Sequence, residues 1–201
     1  MANMIIIGTG GFAIELAGLL SSVDIGLTGF IGPKPTNKLP AEWLGEDKVI
    51  ETLDSNSNIL IAIGNPLIRS KVSDKIRKKK LQQQTFIYPD SYISSEASIA
   101  TGSIIYPNVT IHAGVVLGKN VLINSNATIG HHTKVGGFSN IGPGASIGGC
   151  CNIGNKSYIG IGVSIIENIA IVDHVVIGAG ASVIANIDLN GTYVGVPAKK
   201  I

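Results

Sequence analysis

The chain has 201 residues, 45% of them hydrophobic and 14% charged, and its 15 Lys and Arg against 13 Asp and Glu leave a formal net charge of +2. So small an excess argues against a dedicated nucleic-acid binder, and two adjacent cysteines, Cys150 and Cys151, cannot supply a disulfide framework. Met4 to Ile7 is too short an apolar stretch for a signal peptide and no membrane-length segment follows, so the expectation is a cytoplasmic protein without membrane insertion.

The first third reads as a small α/β unit. Met4 to Ile7 has the pattern of a short buried strand, Gly8-Thr9-Gly10-Gly11 of a turn, and Phe12 to Ser21 of a helix. Leu27 to Ile31 and Ile59 to Ile63 look like further parallel strands. After Gly64-Asn65-Pro66 a helix is expected to run to about Lys80, with Leu67, Ile68, Val72 and Ile76 at helical spacing. The basic run Arg77-Lys78-Lys79-Lys80 would close that helix, where cations suit the dipole and the solvent. A glycine-rich turn opening a helix lets backbone N–H groups approach a phosphate, so a nucleotide is a reasonable ligand. The dinucleotide fingerprint is incomplete, however. The third glycine is missing from its usual place and no acidic residue ends the second strand convincingly.

The junction is expected around Gln82 to Pro89, dividing a Rossmann-like domain over 1–85 from an all-β domain with a C-terminal tail over 86–201. From Ile93 to Val183 every sixth residue is Ile, Leu or Val, sixteen positions in succession. No α-helix or ordinary strand has that period, so the chain must coil as a β-solenoid. Two residues before most of these aliphatics stands a small or β-branched residue, among them Ser103, Ala127, Thr133, Ala145, Cys151 and Ser157, so large and small inward side chains alternate around a narrow core. Three residues after them come Gly102, Asn108, Gly114, Asn120, Asn126, Gly144, Gly162, Asn168 and Gly180, residue types that tolerate positive φ and can turn a corner. Cys151, at an inward position, reads as core filling rather than as a nucleophile. Ligands would be left the outer faces, the corners or a neighbouring subunit.

Ile141-Gly142-Pro143-Gly144-Ala145, Ile153-Gly154-Asn155-Lys156-Ser157 and Ile159-Gly160-Ile161-Gly162-Val163 resemble the repeat of the hexapeptide-repeat acyltransferases. That family folds as a left-handed parallel β-helix with three hexads per coil and works as a homotrimer, which implies about five coils here. Ile6-Ile7-Gly8-Thr9-Gly10-Gly11, Ala62-Ile63-Gly64-Asn65, Asn124 to His131 and Gly195-Val196-Pro197-Ala198-Lys199 are similar to the subgroup of sialic-acid O-acetyltransferases and nucleotide 4-amino-sugar N-acetyltransferases. The resemblance implies acetyl-CoA as co-substrate, no metal, and a nucleotide-sugar acceptor for surface polysaccharide or glycan synthesis.

It also implies roles for particular residues. His131 would be the general base, because an attacking amine or hydroxyl must lose a proton and imidazole titrates near working pH. His132 stands where the subgroup has Glu or Asp, and Asn140 where some relatives have another His. Glu167, at the same corner two coils on, is a candidate for the missing charge. Gly149, Ile161 and Ala179 would bind the CoA thioester and arm, and Gly8, Gly10, Gly11, Phe12, Asn65 and Asn124 the acceptor. Phe12 replaces a His of several relatives, and Gly32-Pro33-Lys34 lacks the acidic pair that often follows Gly-Phe-Ile. His112 and His174 are expected to be structural or solvated. The implied chemistry is direct N-acetylation of the sugar 4-amino group. O-acetylation of a sialic acid is the enzymatic rival, and a non-catalytic trimeric solenoid is the reading from another class.

Overall fold

The computed structural model describes residues 3–201, and the chain divides between Gln84 and Thr85 into two compact units. The first is a five-stranded parallel sheet in the order β3-β2-β1-β4-β5, with β1 Met4–Ile7, β2 Leu27–Ile31, β3 Glu42–Gly45, β4 Asn58–Ile61 and β5 Gln82–Gln83. Helix α1, Gly11–Ser22, buries Ala13, Leu16, Ala17 and Leu20, an i, i+3, i+4, i+7 stripe. Helix α2, Pro66–Lys78, starts with Pro at its first position and with Asn65 as N-cap, whose side-chain oxygen accepts from the N–H groups of Leu67 (2.9 Å) and Ile68 (3.1 Å). Lys75, Arg77 and Lys78 fill its last turn, where Arg77 pairs with Asp74 at 3.0 Å, a solvated helix end as expected.

β1 and β2 fall where the sequence puts them. The fourth strand ends at Ile61 rather than Ile63, because Ala62 to Gly64 already form the turn into α2. β3 and β5 are strands the hydropathy pattern does not announce. Each is short and lies at a sheet edge, and β3 leaves Glu42 and Trp43 exposed.

In the second unit, strands pair in parallel with partners one coil away, as in Thr110↔Thr128↔Ser146 and Ile111↔Ile129↔Ile147. Three hexads per coil give three flat faces. The first carries Tyr92–Ile93, Thr110–Ile111, Thr128–Ile129, Ser146–Ile147, Ser164–Ile165 and Ser182–Val183. The second runs from Ser98–Ile99 to Ala170–Ile171 and the third from Phe86–Ile87 up to the terminal strands Gly191–Val194 and Lys199–Lys200. No loop interrupts the stack, and this second unit is a left-handed parallel β-helix that follows the Rossmann-like domain in sequence. The rungs begin one hexad earlier than the aliphatic run suggests, since Ile87 already pairs with Ile105. Ile87 is exposed while Phe86 is buried, so the hydrophobic signal at this first rung is out of phase with its position.

The aliphatic ladder fills the interior, with Ile111, Ile123, Ile129, Ile159 and Ile177 fully buried. The small inward positions do more than save space. Thr133 Oγ1 donates to Gly148 O at 2.8 Å and accepts from Cys151 N at 3.0 Å, and Ser139 Oγ donates to Gly154 O at 2.8 Å and accepts from Ser157 N at 3.0 Å. Each buried hydroxyl thus ties one coil to the next, and no buried side-chain nitrogen or oxygen among the described residues lacks a partner. Cys151 takes the same place one coil on, its Sγ 3.2 Å from Ile166 O.

All nine Gly and Asn corners adopt positive φ, and so do Phe138, Lys156, His174, His132 (58°) and Cys150 (59°) at the same place in other hexads. Left-handed backbone at a residue with a Cβ costs about 1–2 kcal/mol, so these corners are imposed by the coil rather than chosen by the residue. Among the described residues no helix is long and apolar enough to cross a membrane.

Candidate functional site

Two regions gather the residues singled out from the sequence. In the first unit, the carboxyl ends of β1, β2, β3 and β4 open onto one pocket of about 740 Å³. Gly8, Thr9, Gly10, Gly11 and Phe12 line it together with Gly32, Pro33, Glu46, Asp47, Lys48 and the turn after β4. Ligands of open parallel sheets bind in this crevice. Gly8, at φ 132°, admits no side chain, because a Cβ would lie 2.4 Å from the carbonyl oxygen of Ala62. The N-terminus of α1 has Gly10 as a cap without a side-chain hydrogen bond and no acidic residue in its first turn, which leaves its positive dipole end unneutralised beside the pocket.

The walls are braced from behind. Thr9 Oγ1 donates to Pro33 O (2.8 Å) and Trp43 Nε1 to Gly32 O (3.0 Å), fixing the turn after β2. Arg69 is fully buried on α2 and its Nη1 donates to the carbonyls of Ile63 (2.7 Å) and Gly64 (3.1 Å), fixing the turn after β4. Desolvation lowers the Arg69 pKa to about 9, which still leaves the guanidinium charged at neutral pH. Sequence reasoning missed Glu46 to Lys48 because it missed β3, whose end delivers them to the pocket. Asp47 is paired with Lys75 at 2.9 Å, whereas the exposed Glu46 has no ion pair among the described residues. Asn65 does not line the pocket, since its side-chain oxygen is occupied capping α2.

In the second unit, His131 and His132 sit at the corner joining the first face to the second, with Gly149 and Cys150 one coil on. The His131 ring lies over Gly149, so close that a Cβ there would be 2.5 Å from Nε2 and 2.6 Å from Cε1. The His132 ring lies over Gly114 of the preceding coil, where a Cβ would meet Cδ2 at 2.8 Å. Between these two supports the rings meet edge to face at 79°, with Nδ1 to Nδ1 at 3.2 Å. Cys150 Sγ stands 3.9 Å from His131 Nδ1. All three side chains are exposed.

No carboxylate hydrogen-bonds His131 among the described residues. Glu167 is exposed and forms no hydrogen bond with it, and the polar groups nearest its Nδ1 are His132 and, farther off, Cys150 Sγ. Ile161 and Ala179 stack at a different corner, between the third face and the first, so they and Gly149 flank the first face from its two edges. The amide N–H groups of Gly149, Ile161 and Ala179 donate to no protein acceptor among the described residues. Asn124 belongs to the corner of Ile161 and Ala179, and its Oδ1 accepts from Ser125 N at 2.7 Å. Asn140 is buried on the third face, in register with Leu122 and Tyr158, and so is not at the His131 corner. His112 and His174 are exposed.

The sequence over residues 3–76 matches the PglD N-terminal domain family. Along its whole length the chain superposes on the acetyltransferase domain of PglB from Neisseria gonorrhoeae FA1090, at 27% identity, full coverage of both chains and a TM-score of 0.95. That domain in complex with acetyl coenzyme A matches at 27% identity and a TM-score of 0.94, over 99% of this chain and 98% of the other. PerB from Caulobacter crescentus, in complex with CoA and GDP-perosamine, matches at 25% identity and a TM-score of 0.94, over 99% and 97%. With a PglD N-terminal domain over residues 3–76 and an uninterrupted hexapeptide-repeat β-helix after it, the chain is similar along its whole length to these acetyltransferases.

Proposed function

We propose that the protein is an acetyl-CoA-dependent N-acetyltransferase acting on the 4-amino group of a nucleotide-linked amino-deoxy sugar, with His131 as general base. The observation that carries this reading is the placing of His131 Nε2 directly over Gly149, whose N–H has no protein acceptor. A base and an oxyanion donor then stand side by side on successive coils, the pairing an acyl transfer needs. His132 takes the place of the usual carboxylate. As a neutral ring accepting from His131 Nδ1–H across 3.2 Å, it fixes the tautomer that leaves the Nε2 lone pair available.

The neutral amine attacks the thioester carbonyl, the Gly149 N–H stabilises the oxyanion, and Nε2 takes the amine proton as the thiolate of CoA leaves. No acyl-enzyme is required. The exposed amides of Ile161 and Ala179 would hold the CoA arm along the first face. The nucleotide would occupy the glycine-lined pocket with its phosphates at the N-terminus of α1. Glu46 offers a carboxylate for base or ribose where the acidic pair after β2 is missing. The enzyme would work as a cytoplasmic homotrimer serving surface polysaccharide or glycan synthesis.

A general base without a carboxylate partner suits an amine better than the harder-to-deprotonate sialic-acid hydroxyl. The test is acetyl transfer from acetyl-CoA to a panel of 4-amino-deoxy nucleotide sugars and free sialic acids, followed by mass spectrometry. Product only on sialic acid hydroxyls, or no product on any acceptor, would overturn the assignment.

A further inference from the structure

We infer that His131, His132 and Cys150 form a binding site for a soft divalent cation of the Zn²⁺ class, and that its occupation switches the enzyme off. The distances are those of a preformed site. On a tetrahedral zinc, with bonds of about 2.0–2.1 Å to nitrogen and 2.3 Å to sulfur, two nitrogens lie about 3.3 Å apart and nitrogen and sulfur about 3.6 Å. Here the two Nδ1 atoms are 3.2 Å apart, Cys150 Sγ is 3.9 Å from His131 Nδ1, and all three donor atoms lie within 4.8 Å of one another. Small side-chain rotations close the remainder.

The backbone supports the same reading independently. His132 and Cys150 occupy one corner position on successive coils, a row continued by Gly114 below and Asn168 above. Both hold left-handed φ, at 58° and 59°, without being Gly or Asn. The coil imposes this φ in hexad after hexad, and here it sets the His132 and Cys150 side chains on adjacent rungs at one pitch. Gly114 and Gly149 set the two ring planes, so the Nδ1 atoms converge without further ordering. Exposure of all three side chains leaves the fourth coordination position to water. Two imidazoles and a thiol select zinc-like ions over Mg²⁺ or Ca²⁺, which want oxygen.

Binding releases the Cys150 thiol proton to solvent and leaves both imidazole rings neutral. The loss of activity rests on the function proposed above. A metal on His131 Nδ1 moves that ring's proton to Nε2, the atom required to be bare for catalysis. Cys150 touches no reacting atom in that mechanism, so its removal separates the two questions.

The experiment titrates chelator-treated full-length protein with Co²⁺ and Zn²⁺, following the cobalt–thiolate charge-transfer absorption, zinc affinity by calorimetry, and acetyl transfer. Wild type should show the cobalt–thiolate band, bind zinc but not Mg²⁺, and lose acetyl transfer on zinc addition. Cys150→Ser should abolish the band, weaken zinc at least about tenfold, escape inhibition, and match the wild-type rate without metal. No thiolate band, or equal zinc affinity in wild type and Cys150→Ser, would overturn the site. Cys150-dependent zinc binding with unchanged acetyl transfer would uphold the site and refute His131 as the base.

Discussion

Substituting Gly149 by alanine tests the catalytic corner with one methyl group. Its φ is not in the left-handed region, so the backbone accepts alanine, and the N–H that would face the thioester oxygen is retained. The new Cβ would be built 2.5 Å from His131 Nε2 and 2.6 Å from Cε1, about 1 Å inside ordinary carbon–nitrogen contact. His131 is exposed and must swing away, so the fold should hold while the base moves by about that distance. A 1 Å misplacement of a reacting group costs about 100-fold, or about 2.7 kcal/mol of transition-state stabilisation. The expected outcome is a kcat about 100-fold below wild type in a steady-state thiol-release assay, with a thermal midpoint shifted by only a few degrees. A kcat within twofold of wild type would refute the argument that Nε2 is the working atom. A collapse of the thermal midpoint would refute the claim that the ring can yield.

Removing the base itself by His131→Ala should lower kcat by about 10²–10⁴ while acetyl-CoA still binds by calorimetry; an unchanged rate would remove His131 from the mechanism. Arg69→Met removes the donor to the Ile63 and Gly64 carbonyls and should cost about 1–3 kcal/mol, read from the urea midpoint, with nucleotide-sugar KM rising as the pocket turn loosens. Burial holds the Arg69 pKa near 9, below its unfolded range, so the unfolded chain binds the extra proton only above about pH 9. Stability linked to this group should therefore rise with pH above 9 and be flat between pH 6 and 8; a wild-type slope in that neutral window that vanishes in Arg69→Met would contradict it. Burial pushes the Cys151 thiol up, so iodoacetamide at neutral pH should add one carbamidomethyl group, on exposed Cys150, by intact mass and peptide mapping; rapid labelling of Cys151 would show that the interior is open.

The β-helix was legible because a period of six has one structural solution, and each aliphatic carries the same instruction as its neighbours. The edges were less legible. β3 and β5 are held by neighbouring strands rather than by a hydrophobic alternation of their own, and Ile87 sits in register yet points its exposure outward. The same divide runs through the candidate site. His131 and Gly149 were singled out through the family resemblance, and the eighteen residues between them are the spacing that stacks two corners. Cys150 was not singled out, although eighteen residues separate it from His132, the distance that stacks two corners. Its proximity was encoded in the register and hidden by reading cysteines as pairs. Glu46 was hidden for a different reason, since its arrival at the pocket depends on a strand the local pattern does not declare.

Above Gly114, the corner row His132, Cys150 and Asn168 projects side chains outward at one coil's pitch while the ladder within stays the same. Such a row behaves as a rack. Chemistry can be exchanged rung by rung with little effect on the interior, but only in whole turns, because a single inserted residue would rotate every later rung onto the wrong side of the prism.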